Sequence, residues 1–213
     1  MTGTSPVAAE DSVTRKHTVI RKNTLTDRPL AHVVYASLSA ALITVGAYVA
    51  VPIGPVPIVL QNLFVLLAGL LLGARWGAAS VLLYLGLGTV GFPVFAGGTG
   101  GPAHLAGPTG GYLLGYVPAV AVTGLISRVR PADRHGKSPA LWPDAAAAVA
   151  GSAVVYACGA SWLAVVTGMP PAGAVAAGVL PFLPGDVLKM AAAVAAARYL
   201  RPVIERRASG GGG

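Results

Sequence analysis

Long uninterrupted apolar stretches dominate the chain and restrict what it can fold into. The first covers residues 30–51, and further stretches of the same kind follow as far as residue 198. Because the apolar residues are continuous rather than alternating, they predict helices and not strands. A helix crosses a bilayer with about 20 mostly apolar residues. With a mean hydropathy of +0.70 and only 10% charged residues, the chain is predicted to be an all-α integral membrane protein.

Interruptions in the apolar pattern separate six predicted transmembrane helices. The first ends at Val51-Pro-Ile-Gly-Pro-Val-Pro, which a helix cannot cross unbroken, and the second and third meet at Arg75-Trp76. The predicted spans are residues 30–51, 58–73, 77–90, 110–126, 141–167 and 182–198. The fifth is long enough to tilt or to carry an interrupted end near Gly151.

The distribution of basic residues predicts the orientation of these helices. Apart from Lys189, every Lys and Arg lies in residues 1–29, at Arg75, in residues 127–139 or from Arg198 onward. The intervening loops, residues 52–57, 91–109 and 168–181, contain no Lys, Arg, Asp or Glu. Positive loops stay in the cytoplasm, so both termini are predicted to be cytoplasmic in a multi-pass protein of the plasma membrane.

The polar ends of the chain set the predicted domain limits. Residues 1–29 lack any apolar period and are predicted to be a disordered cytoplasmic tail, as are residues 202–213. Residues 30–201 between them form the membrane domain. The net charge of +8 does not indicate nucleic-acid binding, because the basic residues are not interleaved with aromatic residues and instead follow the membrane topology.

Residues 91–112, named here the glycine loop, are dense in Gly and Pro. This composition predicts neither helix nor strand. Structureless connections of this length are usually lids, binding loops or disordered segments, and the near absence of charge argues against a solvated linker. We expect a lid over a binding site, although an apolar surface turn between two helices would have the same composition.

Two ionisable residues, Asp186 and Lys189, lie inside the sixth predicted span. Such residues are costly in a membrane and usually functional. Their spacing of three places both side chains on one helix face, where they can share a ligand or pair with each other. The alternative is that Asp186 caps the helix and Lys189 reaches the interface. Capping does not explain Lys189, because a cation near a helix N-terminus opposes the helix dipole.

Other polar side chains are predicted to lie at the same depth and to line an outward-facing pocket with this pair. They are Gln61, Tyr84, Thr109, Tyr112 and Tyr156. Each could equally form a hydrogen bond between helices. His104 in the glycine loop has no second ligand nearby in the pattern, so neither a metal nor a cofactor is predicted.

Motifs for ATP hydrolysis and for common hydrolases are missing, so uphill transport would need an energising partner. Ala36 and Ala40 form a small-xxx-small face that could dock such a partner or pack against a neighbouring span. An intramembrane enzyme that uses Asp186 as acid or base is the alternative class. It would need a second catalytic group, for which only Tyr84 or Tyr112 is available. We therefore predict a binding protein and not an enzyme.

Several motifs resemble the BioY family, the biotin-specific S components of energy-coupling factor transporters. They are Pro55-Val-Pro-Ile-Val-Leu-Gln-Asn-Leu, Leu66-Leu-Ala-Gly-Leu-Leu-Leu-Gly, Gly91-Phe-Pro-Val-Phe-Ala-Gly-Gly, Gly107-Pro-Thr-Gly-Gly-Tyr and Leu183-Pro-Gly-Asp-Val-Leu-Lys. The resemblance covers about residues 30–201. Val59 departs from it, since Thr commonly follows the Pro-Val-Pro-Ile segment.

The resemblance implies a six-helix subunit that captures biotin from outside, with the glycine loop closing the site. It also implies partners: a transmembrane coupling subunit, docked partly through Ala36 and Ala40, and two ATP-hydrolysing subunits. Asp186 and Lys189 would hold the ureido ring, or Lys189 would pair with the carboxylate of biotin. An S component for thiamin or riboflavin is the alternative, for which more aromatic residues near the outer loops are expected.

Overall fold

The structure, a computed structural model, describes residues 30–52, 55–128 and 141–209. The predicted tail at 1–29 and most of the predicted basic loop, residues 129–140, lie outside the described residues. Within them the elements are α1 (Leu30–Tyr48), β1 (Ala50–Val51), β2 (Ile58–Val59), α2 (Gln61–Val90), α3 (Pro102–Ala106), α4 (Gly110–Arg128), α5 (Trp142–Thr167), α6 (Pro171–Gly178) and α7 (Leu183–Ser209). Helix α7 thus continues beyond residue 201, where the membrane domain was predicted to end.

The chain divides into two compact units, Met1–Val34 and Tyr35–Gly213. Of the first unit, the structure describes only residues 30–34, which begin α1. In the second unit, α1 ends at Tyr48, before the Pro-rich segment that was predicted to break it. The chain then reverses through the antiparallel pair of β1 and β2, in which Ala50 faces Val59.

Helix α2 is broken at Gly73, whose φ of 74° and ψ of −177° are not helical. A Cβ built on Gly77 would lie 3.2 Å from the carbonyl oxygen of Ala68. Residues nine apart on a continuous helix are about 13.5 Å apart along its axis, so the two arms of α2 fold back on each other. The structure therefore has a break between the second and third predicted spans. The chain reverses at Gly73, two residues before Arg75.

Close approach of small residues holds α4 against its neighbours. A Cβ on Gly124 would overlap the backbone of Ala74, and one on Gly111 would overlap the side chain of Trp162 in α5. Glycine at these positions lets helices pack at short range, which is typical of membrane bundles. Large apolar side chains such as Leu125 and Val165 remain on the outside of the bundle, as expected for a surface that faces lipid.

Among the described residues, four helices are each long and apolar enough to cross a membrane: α1, α2, α4 and α5. Helices α6 and α7 pass the same test only as a pair, bent by 56° at the break between them. Helix α5 runs without interruption through Gly151, so the break that was considered there is wrong. The break lies instead before α7, and the predicted turn at 168–181 contains α6, which begins at Pro171.

The prediction that the glycine loop contains neither helix nor strand is wrong for part of it. Residues Pro102–Ala106 form α3, and Phe95 and Thr99 form an isolated β-bridge. Proline is well tolerated at the first position of a helix, because its missing N–H would have no helical partner there. Gly97, Gly98 and Gly101 all have positive φ, so the sharp turns between these pieces depend on glycine.

The small-residue face of α1 points inward. Ala36 and Ala40 are only 6% and 3% exposed, and the space above Gly46 is occupied by Phe64 of α2. Because Ala36 and Ala40 are buried within the chain, the structure favours the alternative of internal packing over the docking role predicted for them. Ser37 and Ala41, on the neighbouring face, are exposed.

Candidate functional site

A cavity at the end of the bundle that carries the glycine loop collects most of the predicted site residues. It holds about 590 Å³ of unfilled space, a figure that includes its open mouth. This main cavity is lined by Val56, Pro57, Val59, Gln61, Asn62, Ala96, His104, Thr109, Tyr112, Leu113, Tyr116, Val155, Tyr156, Phe182, Asp186 and Lys189. Val59 contributes an apolar wall here.

The carboxylate of Asp186 is the most heavily bonded group in the main cavity. Lys189 donates from Nζ to Oδ1 at 2.6 Å. Tyr156 donates from its hydroxyl to Oδ2 at 2.5 Å, and Asn62 donates from Nδ2 to the same oxygen at 3.1 Å. The carboxylate is therefore joined to α2, α5 and its own helix. Buried charges require such pairing, because an isolated one is very costly.

The alternative explanations for Asp186 and Lys189 do not fit this geometry. The bonds of the Asp186 carboxylate go to other side chains instead of to the first turn of α7. The Lys189 side chain is 11% exposed and points to its partner, so it does not extend to an interface. The pair forms a salt bridge within α7 and also faces the main cavity.

Two neighbouring amides of the cavity lining have buried atoms without a hydrogen-bond partner. Within the described part of the chain, Nε2 of Gln61 and Oδ1 of Asn62 are buried and have no hydrogen-bond partner. A carboxylate only accepts hydrogen bonds, so Asn62 must turn its Nδ2 to Asp186 and its oxygen away from it. A buried polar atom normally has a partner. The Tyr84 hydroxyl, near Gln61, is likewise buried without a partner, so this side of the cavity wall holds several polar atoms that no described protein group satisfies.

The predicted tyrosines have different surroundings. Tyr112 and Tyr156 line the main cavity, but the Tyr112 hydroxyl already donates to the carbonyl of Gly178 at 2.8 Å, which joins α4 to α6. Tyr84 does not line the cavity; it is fully buried, approaches Gln61 and packs edge-on against Phe95 with ring centroids 5.5 Å apart. Tyr116, which was not predicted, is buried and forms part of the cavity wall.

The glycine loop is attached to the helices at several points. Tyr48 at the end of α1 donates to the carbonyl of Pro93 at 2.5 Å, and Trp162 of α5 donates from Nε1 to the carbonyl of Gly107 at 3.0 Å. Phe95 is fully buried, and a Cβ on Gly88 of α2 would overlap its ring. The glycine loop therefore packs against the helices and covers part of the main cavity.

A second cavity adjoins the main one and is named here the vestibule. It holds about 790 Å³ of unfilled space, part of which is open to solvent. Its walls come from two loops and consist of Pro55, Pro57, Ala96, Gly100, Ala103, His104, Gly107, Pro108 and Thr109. Pro57, Ala96, His104 and Thr109 line both cavities, whereas Asp186 and Lys189 line only the main one. Thr109 thus lies at the boundary between the two spaces.

A separate ion-pair network, not predicted from the sequence, joins the other ends of four helices. Arg201 of α7 donates from Nη1 to Oδ2 of the fully buried Asp144 at 3.2 Å, and from Nη2 to the carbonyl of Leu70 at 2.7 Å. Ser127 donates to Oδ1 of Asp144 at 3.2 Å. These contacts lie away from the main cavity and hold the bundle together.

The described residues contain no group of three or more His, Cys, Asp or Glu side chains that could hold a metal ion. His104 instead stacks on Phe95 with ring centroids 5.5 Å apart and contacts the hydroxyl of Thr99 at 3.4 Å. The chemistry that the main cavity offers is directional hydrogen bonding beside one ion pair, within apolar walls.

Comparisons with known proteins relate the chain to biotin transporters. A family model described as the BioY family matches residues 16–206. A probable biotin transporter BioY from Pyrococcus horikoshii is 43% identical over 165 residues, which cover 78% of this chain and 93% of that protein. The biotin transporter BioY of Thermotoga maritima is 36% identical over 178 residues, covering 83% of this chain and all of that protein.

A solved structure has the same fold. The S-component for biotin from an ECF-type ABC transporter, a crystal structure at 2.1 Å, superposes with a TM-score of 0.74 at 30% sequence identity. The superposition covers 83% of this chain and 93% of that one.

Proposed function

The chain belongs to the BioY family, and on that premise we propose that it is the S component of an energy-coupling factor transporter that captures biotin for uptake. It is a multi-pass membrane protein whose family transports a solute and performs no catalysis. The alternative vitamins, thiamin and riboflavin, are not favoured, because the relatives are biotin transporters.

The paired state of Asp186 is the observation that carries this assignment. Its salt bridge with Lys189 has no net charge, so a ligand beside it should be polar but uncharged. The ureido group of biotin has two N–H donors flanking a carbonyl acceptor. Asp186 and Oδ1 of Asn62 can accept from the N–H groups, while Lys189 and Nε2 of Gln61 can donate to the carbonyl.

The carboxylate of biotin fits poorly beside this pair. Lys189 is already neutralised at 2.6 Å by Asp186, so a second carboxylate would add an unpaired charge in a buried site. The rival assignment, in which Lys189 holds the carboxylate of biotin, is therefore disfavoured. The apolar walls that include Leu113, Val155 and Phe182 suit the thiophane ring and the valeryl chain, and the carboxylate then extends toward the vestibule.

The proposed topology has six membrane passes with both termini in the cytoplasm. The passes are α1, the two arms of α2, α4, α5 and the bent pair of α6 and α7. The reversal at Gly73 lies beside Arg128, and Arg201 bonds to Leu70, so basic residues gather at one end of the bundle. The uncharged loops gather at the other end. This asymmetry supports an extracellular glycine loop in the plasma membrane.

The energy for uptake would come from partner subunits, namely a transmembrane coupling protein and two ATP-hydrolysing proteins. Because Ala36 and Ala40 are buried, the docking surface on α1 is assigned to its exposed side, where Ser37 and Ala41 accompany Leu38, Leu42 and Val45. Small residues beside larger apolar ones allow close contact between helices.

Purified protein in detergent tests the assignment directly. Mass spectrometry should find biotin travelling with the protein, and radiolabelled biotin should bind after that ligand has been removed. Thiamin and riboflavin should not compete. The double substitution Asp186→Asn with Lys189→Met should abolish binding, while Tyr199→Phe, on the exposed side of α7, serves as the matched control. Competition by thiamin or riboflavin, or normal affinity in the double variant, would overturn the assignment.

A further inference from the structure

The vestibule continues the main cavity on the side away from the ion pair. The two spaces share Pro57, Ala96, His104 and Thr109, so a ligand that fills the main cavity and projects from it passes between these residues. The remaining walls of the vestibule belong to the glycine loop and to the segment before β2. Part of its volume of about 790 Å³ is open to solvent, which leaves room for more than a short acid chain.

The vestibule has no fixed charge. None of its lining residues is Lys, Arg, Asp or Glu, and the loops at 52–57, 91–109 and 168–181 contain none of these residues anywhere in their sequence. Protein sites that recognise a carboxylate use Arg, Lys or a set of aligned N–H donors. The only side chain here that can become positive is His104, and its ring is engaged with Phe95 and Thr99.

We propose that this chain selects its ligand by the bicyclic ring alone and therefore also takes up biotin derivatives whose carboxyl group is joined to another molecule through an amide. Biotin linked to the side chain of lysine, and short peptides that carry it, form this substrate class. The inference rests on the proposed function and extends it, because it concerns which molecules with the biotin ring are accepted.

The main cavity contains a neutral ion pair and the vestibule contains no Lys, Arg, Asp or Glu, which is why a ligand with an amide in place of the carboxylate should be accepted. The ureido ring finds directional partners around Asp186, and those contacts do not change when the far end of the ligand is extended. An amide at the far end replaces a charged group that meets no Lys or Arg side chain in the vestibule. Such a replacement removes no ion pair, and the added chain continues into open space above Pro55 and Ala103.

Competition against radiolabelled biotin on the purified full-length chain tests this proposal. Biotin methyl ester, biotin amide and biotin linked to lysine are expected to compete within about threefold of biotin, because no charge-assisted bond is lost. Diaminobiotin, in which the ureido carbonyl is removed, is expected to compete more than about a hundredfold more weakly. Amide derivatives that bind ten- to a hundredfold more weakly than biotin, about the loss expected for one charge-assisted hydrogen bond, would overturn the proposal.

The substitution His104→Phe, which keeps an aromatic ring against Phe95, completes the test. Whatever the substitution does to binding overall, it is expected to change the Kd of biotin and of its methyl ester by the same factor. A loss for biotin that the ester does not share would mean that His104 recognises the carboxylate, and would overturn the proposal. If biotin itself fails to bind the unaltered protein, the proposed function fails as well; if biotin binds and the extended ligands do not, only this inference fails.

Discussion

Asn62 of α2 donates a 3.1 Å hydrogen bond from Nδ2 to Oδ2 of Asp186 in α7, across 124 residues of chain. Substitution Asn62→Leu keeps the branching at Cγ but removes this donor and the acceptor Oδ1. Bonds to charged groups stabilise by about 1.5–3 kcal/mol, so the Kd for biotin should rise about ten- to a hundredfold. Isothermal titration calorimetry measures this, and an unchanged Kd would exclude Asn62 from the binding site.

The effects of substituting Asp186 and Lys189 on stability should be coupled, because the two side chains form one ion pair. Asp186→Asn or Lys189→Met alone leaves one buried charge without its partner, and each should lower the free energy of unfolding by about 3–5 kcal/mol. The double variant leaves no charge and should unfold at a higher temperature than either single variant. Thermal unfolding in detergent compares the three. A double variant that is as unstable as the two losses added would contradict this coupling.

The hydrogen bond from Tyr48 to Pro93 should slow the release of ligand. Tyr48→Phe removes one fastening of the glycine loop, and a neutral hydrogen bond stabilises by about 1 kcal/mol. Dissociation of biotin should therefore be about fivefold faster. A filter-binding chase with unlabelled biotin measures this rate. Tyr199→Phe makes the same chemical change at an exposed position and should leave the rate unaltered.

Phe95 packs directly on Gly88, so we expect that an added methyl group at Gly88 is not tolerated. A Cβ there would overlap the Phe95 ring, so Gly88→Ala should displace the glycine loop and weaken biotin binding by tenfold or more, on the order of 1.4 kcal/mol. Gly86→Ala lies on the same arm of α2, where a Cβ meets no atom within 4 Å, and it should bind normally. Equal affinities in the two variants would show that the loop does not depend on this contact.

The Asp144–Arg201 network should support stability without affecting affinity. Asp144→Asn removes the negative charge that pairs with the largely buried guanidinium of Arg201. It should lower the free energy of unfolding by up to about 3–5 kcal/mol. The Kd of the folded fraction should stay within about twofold of the original value, because the network does not line either cavity. Arg75→Met, at an exposed residue beside Trp76, is the control and should change stability little.

The sequence was sufficient to predict an all-helical membrane fold and to single out the ion pair that lines the main cavity. Charged residues inside an apolar run are conspicuous, so Asp186 and Lys189 could be singled out without any structure. Six of the seven predicted binding residues line the main cavity: Gln61, Thr109, Tyr112, Tyr156, Asp186 and Lys189. Tyr84 is the exception, since it is packed behind Gln61.

What escaped prediction depends on contacts between distant segments. Asn62 is adjacent to a predicted residue, but its pairing with Asp186 arises only when α2 and α7 pack together. Asp144 lies at the start of a helix, where an acidic residue usually indicates an exposed cap, and nothing local reveals that Arg201 covers it. The inward direction of Ala36 and Ala40 likewise follows from which side of α1 meets α2.

Predictions from local composition were also inaccurate at proline and glycine, because these residues occur in turns as well as at the starts and breaks of helices. The pair of prolines at 170–171 lies in the loop predicted at 168–181, yet Pro171 begins α6. The polarity of Arg75 and Trp76 indicated a break between spans predicted at 58–73 and 77–90, but that the backbone turns at Gly73, with a positive φ, could not be read from the sequence.

The hydrogen bond from Trp162 to Gly107 has a practical consequence for spectroscopy. The other two tryptophans of the chain, Trp76 and Trp142, belong to the opposite end of the bundle. Trp142 is about 30 Å from Trp162 along α5. Movement of the cover over the cavity therefore alters the polarity around a single fluorophore. Emission from the native protein should report occupancy in real time, without any dye.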